Sequence, residues 1–145
     1  MSAKEIKALM RRLVAESNKG EAAAMAAIDE FYAPDFVYHS GVGEDVRGLK
    51  ENKQSTSDFY RAFPDIHSTI DDMIVEGDKV ATRGTMTGTH KVEFMGIPPT
   101  NKKVTVWVFS IDRVAGGKIV EEWGTYDTLG LMKQLGLTPK PEKTK

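Results

Sequence analysis

Four β-prone stretches follow one another in the second half of the chain, and their order limits the fold more than any other feature. They cover residues 67–76, 80–90, 104–114 and 118–126. Short glycine-containing turns, around Gly77 and around Gly116-Gly117, separate the first pair and the last pair. Strands joined by turns this short pair as antiparallel hairpins. The sequence therefore predicts a sheet built from two consecutive hairpins, which are joined by a long loop over residues 91–103.

Three helical segments precede these strands, and they cover residues 3–18, 21–31 and 49–63. In the first, Ile6 and Leu9 begin an apolar stripe at helical spacing, and Ser2 is a candidate N-cap. One short strand (residues 36–40) and a glycine-rich loop (residues 41–48) lie between the second and third helices. Because helices and strands are segregated along the chain, we predict an α+β fold with helices packed on one face of the sheet.

Length and composition are typical of one globular domain. The chain has 145 residues, of which 40% are hydrophobic and 28% charged, and we predict a single domain over residues 1–138 with a flexible tail over 139–145. A formal net charge of -1 and the lack of a basic run argue against nucleic-acid and membrane partners. The N-terminus has no signal-peptide core and no stretch is long enough to span a membrane, so we expect a cytoplasmic protein.

The residue types exclude several kinds of site. The chain has no cysteine, which rules out disulfides and cysteine-ligated metals. His39, His67 and His90 do not stand at metal-ligand spacing within one element. The sequence also lacks a phosphate-binding glycine loop and a serine nucleophile motif. We therefore expect no metal and no cofactor, and the remaining chemistry is acid–base catalysis by side chains.

One carboxylate is placed where such chemistry could occur. Asp127 lies between the last strand and a predicted helix over residues 128–135, close to Trp123 and Tyr126. An aspartate directly before an apolar-periodic helix is a good N-cap. An aspartate among aromatic residues can also have a raised pKa and act as an acid or base. The residues alone leave both roles open, and the two roles are compatible.

Strand parity adds neighbours to this carboxylate. If no bulge intervenes, one face of the last strand carries Ile119, Glu121, Trp123, Thr125 and Asp127. An apolar surface with few polar groups, here Asp127, His90 and Glu121, is typical of a small-molecule pocket. On the third helix, polar residues such as Asn52 lie on the apolar stripe, where they mark either its solvent edge or the wall of a cavity.

Four sequence segments occur in an order and spacing that point to a known family. They are AFPD (62–65), EGDKVATRGTMTGTH (76–90), FMGIPPTNKKV (94–104) and GGKIVEEWGTYDTLGLMKQLG (116–136). In these segments, from about residue 6 to residue 136, the chain resembles the SnoaL-like polyketide (ester) cyclases of the nuclear transport factor 2 superfamily. The resemblance implies a cone, in which a strongly curved antiparallel or mixed sheet and the helices surround a central cavity. It also implies a homodimer formed through the sheet.

The resemblance further implies a cofactor-free reaction on a small hydrophobic carbonyl compound. The aspartate that matches Asp127 acts as general acid/base in an intramolecular aldol ring closure, and we expect Asp127 and His90 to be catalytic. An isomerase or hydrolase reaction remains open, as does a non-catalytic ligand-binding or dimerisation module. The residues expected to line the substrate pocket are His39, Asn18, Asn52, Phe59, Met86, Phe94, Trp107, Phe109, Glu121 and Trp123.

The chain departs from the family pattern at three places. Ser17 replaces a frequent tryptophan before Asn18, Gly84 stands where many members have a bulky aromatic residue, and Glu122 replaces the histidine of a Glu-His-Trp sequence. Each departure changes the shape or polarity of the expected cavity. The epoxide hydrolases of the superfamily use an Asp–Arg–Asp set; Arg83 and Asp112 are available, but parity places Arg83 on the face opposite His90.

Overall fold

The computed structural model describes residues 1–41 and 43–137, which form four helices and a six-stranded sheet. This confirms the predicted α+β class. The predicted tail, together with Thr138, lies outside the described residues. None of the described helices has both the length and the apolar character needed to cross a membrane.

The bounds of the elements follow the local sequence signals closely. The helices are α1 (Ala3–Ser17), α2 (Glu21–Phe31), α3 (Gly48–Ala62) and α4 (Thr128–Gln134). The strands are β1 (Tyr32–His39), β2 (Val46–Arg47), β3 (His67–Glu76), β4 (Lys79–Thr89), β5 (Lys103–Ala115) and β6 (Lys118–Tyr126). As predicted, the Ser2 side chain caps α1 by accepting a hydrogen bond from the backbone of Glu5 at 3.1 Å.

The first strand and the loop after it differ from the prediction. β1 begins at Tyr32, directly after α2, and the predicted loop contains the two-residue strand β2. β1 pairs in parallel with β6, the last strand in the sequence, and β2 pairs with β1. The pairing of β1 with β6 joins segments that are distant in sequence, which explains why local propensity did not reveal it.

The sheet has the strand order β2-β1-β6-β5-β4-β3, and all neighbours except β1 and β6 are antiparallel. We call the face that α1 to α3 cover the inner face, and the opposite one the outer face. The inner face carries Val80, Val114 and Ile119, which pack against Ile6 and Phe36 in the main hydrophobic core.

A bulge in the last hairpin changes the predicted face of several residues. The register between β5 and β6 shifts after the pair Arg113 and Glu121, so that the next pair is Val114 and Ile119. A bulge of this kind breaks the strict alternation of side chains. Ile119 is therefore buried in the core, whereas Glu121 lies on the outer face, and the prediction that they share a face is wrong.

The AFPD segment closes the end of the molecule near α4. Phe63 is fully buried with Leu131 of α4 in a second core. The carboxylate of Asp65 accepts hydrogen bonds from the backbone nitrogen and the hydroxyl of Thr89, at 2.6 and 2.7 Å. These contacts hold the end of α3 against the end of β4.

Candidate functional site

Asp127 caps α4 and is exposed to solvent. Its Oδ1 accepts a hydrogen bond from the backbone nitrogen of Gly130 at 2.8 Å, which confirms the capping prediction. Its own backbone nitrogen donates to the carbonyl of Trp107 at 3.1 Å. Among the described residues, Gly130 is the one hydrogen-bond donor to this carboxylate. The structure thus shows Asp127 as a helix cap at the surface.

His90 lies in a different part of the molecule. It is fully buried, its ring lies 5.5 Å from that of Phe63, and its Nδ1 accepts from the backbone nitrogen of Thr100 at 3.2 Å. Its backbone pairs with Lys102, whereas that of Asp127 pairs with Trp107. Lys102 and Trp107 are five residues apart in an extended segment, which corresponds to about 17 Å at the usual rise per residue. The structure does not bring the two residues together, and their catalytic roles stay predictions.

The outer face carries a broad apolar groove of about 780 Å³. Phe109, Ile111 and Trp123 line it, and Ile74, which is 70% exposed, forms part of one wall. Five residues predicted to line the substrate pocket lie on this face: His39, Trp107, Phe109, Glu121 and Trp123. The sequence thus indicated an aromatic surface correctly but could not tell which side of the sheet it occupies.

A charged network borders this groove. His39 Nε2 lies 2.7 Å from Glu121, its Nδ1 lies 3.2 Å from Asp45, and its ring stacks on Trp123 with centroids 5.2 Å apart. Glu121 also accepts from Arg113 at 3.1 Å. The hydrogen bond between His39 and Glu121 raises the pKa of His39 and lowers the pKa of Glu121, because each residue stabilises the charged form of the other.

Three other predicted pocket residues pack against the second core near α4. Phe59 packs on Phe94 and on Tyr126, with ring centroids 5.0 and 5.6 Å apart. Phe94 also meets Phe63 edge to face at 5.4 Å, and Met86 packs against the same cluster. These side chains close the inner face at the end near α4.

A smaller cavity, of about 160 Å³, lies between α1 and the inner face of β3 to β5. Its lining includes the apolar side chains of Met10, Val14 and Val108 and the hydroxyl-bearing residues Thr82 and Ser110. Within the described part of the chain, the buried Oγ1 of Thr82 has no hydrogen-bond partner. A buried hydroxyl without a partner is costly, so this atom marks a place for a ligand or a water molecule.

Asn18 and one departure from the family pattern shape the surroundings of this cavity, whereas Asn52 lies on α3. Asn18 binds the backbone nitrogen and oxygen of Ser68 at 2.8 Å each, which fixes the end of α1 against β3. A side chain at Gly84 would place its Cβ 2.8 Å from the carbonyl oxygen of Thr69. Asn52 accepts from Thr56 at 3.4 Å, and its buried Nδ2 finds no acceptor among the described residues.

Sequence reasoning missed a pair of carboxyls next to this cavity, one fully buried and one partly buried. Asp112 and Glu122 face each other across β5 and β6 on the inner face, and Asp112 is fully buried. Ser110 Oγ donates to Asp112 Oδ2 at 3.0 Å. Burial raises the pKa of Asp112 to about 6 and that of Glu122 well above its usual value. Counting residues outward from the Gly116-Gly117 turn could have suggested the pair, but the bulge hid the register.

The structure does not assemble the Asp–Arg–Asp set of an epoxide hydrolase around Arg83 and Asp112. Arg83 lies on the outer face and forms ion pairs with Asp72 at 2.6 Å and with Asp71 at 3.7 Å. Asp112 lies on the inner face, so the sheet separates the two residues. Within residues 1–41 and 43–137, no group of three or more His, Asp or Glu side chains is arranged to hold a metal ion.

Comparisons with known proteins agree with this architecture. The model of a family described as SnoaL-like polyketide cyclase matches residues 8–135. Comparison with curated proteins gave no significant match.

Among solved structures, the chain is similar to AclR from Streptomyces galilaeus, a proposed hydroxylase. The two are 32% identical with a TM-score of 0.83, and the match covers 95% of this chain and 100% of AclR. It is also similar to IdmH from Streptomyces antibioticus, a proposed polyketide cyclase, with 30% identity, a TM-score of 0.72 and coverage of 88% and 98%. A proposed SnoaL-like polyketide cyclase from a Jannaschia species shares the fold, with a TM-score of 0.84 at 22% identity and coverage of 96% and 98%.

Proposed function

The chain belongs to the SnoaL-like polyketide cyclase family, and we propose that it is a cofactor-independent enzyme that transfers protons on a small hydrophobic carbonyl compound. The observation that carries this proposal is the cavity on the inner face, which has apolar walls and the hydroxyls of Thr82 and Ser110 at one side. Apolar walls with a few polar groups bind a carbonyl compound in a defined orientation. Ring closure by an aldol step and isomerisation both begin with removal of a proton from such a compound, whereas ester hydrolysis needs a base that removes a proton from the attacking water.

The size of the cavity favours a small substrate. Its volume of about 160 Å³ is about half the lower limit of the usual range for drug-sized ligands, roughly 300–1,000 Å³. Phe59, Phe94 and Tyr126 pack together near one end of the inner face and leave little room there. We therefore propose a compact ketone or ester as the substrate class, smaller than the fused-ring polyketides that the family name suggests.

An exchange experiment tests the proposal with a simple probe in place of the natural substrate. The probe is ethyl acetoacetate in D2O, because loss of its methylene signal in ¹H NMR reports proton removal and release of ethanol reports hydrolysis. The wild-type protein is expected to accelerate exchange over buffer. Val108→Phe fills the inner cavity and is expected to abolish the acceleration, whereas Ile111→Phe in the outer groove is the matched control and retains it.

Two results would contradict the proposal. One is a wild-type exchange rate equal to that of buffer at saturating probe. The other is a folded Val108→Phe variant, verified by circular dichroism, that keeps the full rate.

The part that Asp127 takes in catalysis needs a variant that separates the acid from the cap. Serine is a good N-cap without a carboxylate, so Asp127→Ser keeps the start of α4 and removes the acid. We expect this variant to retain exchange activity, because the carboxylate is exposed and bonded to Gly130. A loss of one hundredfold or more, the usual scale for a general acid or base, would instead assign Asp127 the catalytic role that the family resemblance implies.

A second candidate function rests on the outer face. Its groove of about 780 Å³ and its exposed Trp107 and Ile74 form a large apolar surface, which is unusual on a monomer. We propose that two copies of the chain pack through this face as a homodimer. If the inner cavity binds a ligand without accelerating exchange, the protein is a non-catalytic binding module. If it binds none, a dimerisation module of the same fold remains.

A further inference from the structure

We infer that Asp112 and Glu122 form a carboxyl pair that takes up and returns the proton of the bound compound through the hydroxyl of Ser110. The inference rests on the proposed function of the inner cavity. It assigns the acid–base role to two residues on neighbouring strands, and it does not require Asp127 or His90.

The register of the sheet places the three residues in a continuous row. Asp112 is paired with Glu122 across β5 and β6, and Ser110, two positions before Asp112, points to the same inner face. Ser110 is part of the cavity wall, and its hydroxyl donates to Asp112 Oδ2 at 3.0 Å. A compound in the cavity therefore reaches the carboxyl pair through a single hydroxyl group.

Two buried polar atoms at this place lack a hydrogen-bond partner among the described residues, and each needs one. Asp112 is fully buried, yet within the described residues no donor reaches its Oδ1. Thr82, which is level with Ser110 on the adjacent strand, has a buried hydroxyl that also lacks a partner. Buried acceptors are nearly always hydrogen-bonded, and a proton held between the carboxyls would satisfy Oδ1.

No cation among the described residues neutralises the pair. The nearby Arg113 is bonded to Glu121 on the outer face. The groups that face the pair from β1 are the phenols of Tyr32 and Tyr38, whose own pKa values burial raises. Two adjacent carboxyls without a cation, one fully buried and one partly buried, hold one proton between them, because ionising both would place two like charges side by side. The raised pKa values of both groups agree with this arrangement.

The proton step balances within these groups. The acidic C–H bond of the carbonyl compound breaks and its proton moves to Ser110 Oγ, while the original hydroxyl proton of Ser110 moves to Asp112 Oδ2. The electron pair stays on the compound as an enolate, and Glu122 keeps its own proton. In the reverse direction Asp112 returns a proton to Ser110, which protonates the product.

Isosteric variants test the pair on two independent readouts. Ser110→Ala removes the hydroxyl and Asp112→Asn removes the acid, and Ser57→Ala and Asp58→Asn on α3 are the matched controls. The first readout is deuterium exchange of ethyl acetoacetate. The second is infrared difference spectroscopy, in which the carbonyl stretch of a protonated carboxyl is followed from pH 4 to pH 9. Circular dichroism verifies the fold, and Ser110→Ala alone decides the outcome if Asp112→Asn does not fold.

We expect Ser110→Ala and Asp112→Asn each to slow exchange at least tenfold and both controls to leave it unchanged. We also expect a protonated-carboxyl band that persists above pH 7 in the wild type and disappears in Glu122→Gln. Wild-type exchange that survives both Ser110→Ala and Asp112→Asn would overturn the inference and leave the proposed function standing.

If the wild type does not accelerate exchange, the proposed function fails for this probe and the infrared readout decides the inference by itself. A shift of the carboxyl band on adding ethyl acetoacetate, present in the wild type and lost in Ser110→Ala, supports the contact between pair and cavity. The inference is overturned by a carboxyl band that does not shift when the probe is added, or by the absence of a protonated carboxyl above pH 7.

Discussion

The cap of α4 provides a quantitative test of how Asp127 is used. The carboxylate accepts from the backbone nitrogen of Gly130, and a Cβ built on Gly130 would lie 2.1 Å from Asp127 Oδ2. A methyl group at position 130 therefore cannot coexist with the carboxylate in its present position. We predict that Asp127→Ala and Gly130→Ala remove the same interaction, and that their effects on the free energy of unfolding are not additive.

The magnitudes follow from cap and propensity values. Asp127→Ala loses the cap and costs about 1 kcal/mol. Gly130→Ala also loses the cap but gains up to about 1 kcal/mol of helix propensity, so its net effect is near zero. The double variant loses the cap once and gains the propensity, so it is also near zero. Asp127→Ala therefore costs about 1 kcal/mol when residue 130 is glycine and about zero when it is alanine.

Urea unfolding followed by tryptophan fluorescence measures all four proteins, provided that the slope against urea stays the same. A cost of Asp127→Ala that is equal in both backgrounds would refute the reasoning. In that case the carboxylate does not stabilise the protein through Gly130, and the result would favour a catalytic role for Asp127.

Three further predictions concern the dimer, the cavity wall and the buried pair. Ile111→Lys places a charge on the apolar outer face and is expected to convert a dimer into a monomer in sedimentation velocity; a wild-type monomer would contradict the proposed interface. Gly84→Ala forces a methyl group to within 2.8 Å of the Thr69 carbonyl oxygen and is expected to lower the stability to urea by about 1–3 kcal/mol; an unchanged unfolding midpoint would contradict that contact. Burial raises the pKa of Asp112 to about 6, so the folded state keeps a proton that the unfolded chain loses near pH 4. The contribution of this proton to the free energy of unfolding is fully present below about pH 4. It falls by about 3 kcal/mol as the pH rises past 6. Urea unfolding measures the free energy of unfolding of the wild type and of Asp112→Asn, and the difference between the two should change by about 3 kcal/mol between pH 4 and pH 6. A difference that stays constant would contradict the burial of a neutral Asp112.

Features set by neighbouring residues could be predicted from the sequence. Ser2 and Asp127 have polar side chains just before an apolar-periodic segment, and both cap helices as expected. Gly77 and Gly116 lie in the predicted turns and adopt positive φ angles of 61° and 59°. Such signals depend on a few adjacent residues, which is why helix and hairpin bounds agreed with the structure to within one residue.

Features set by long-range pairing could not be predicted in the same way. The parallel pairing of β1 with β6 joins residues such as Val37 and Glu121, and no local pattern encodes it. The bulge after Arg113 moved Glu121 to the outer face and Glu122 to the inner face, which exchanged the apparent roles of two adjacent glutamates. The family resemblance identified the fold correctly, but it could not show that this register places Asp112 beside Glu122.

The most direct test of the proposed site is a methyl NMR titration with ethyl acetoacetate. The methyl groups of Met10, Val14 and Val108 line the inner cavity, whereas those of Ile74 and Ile111 line the outer groove. We predict saturable shifts of the inner methyl signals at one probe molecule per chain, with the outer signals unchanged. Saturable shifts confined to Ile74 and Ile111 would place the ligand on the outer face and contradict the proposed site.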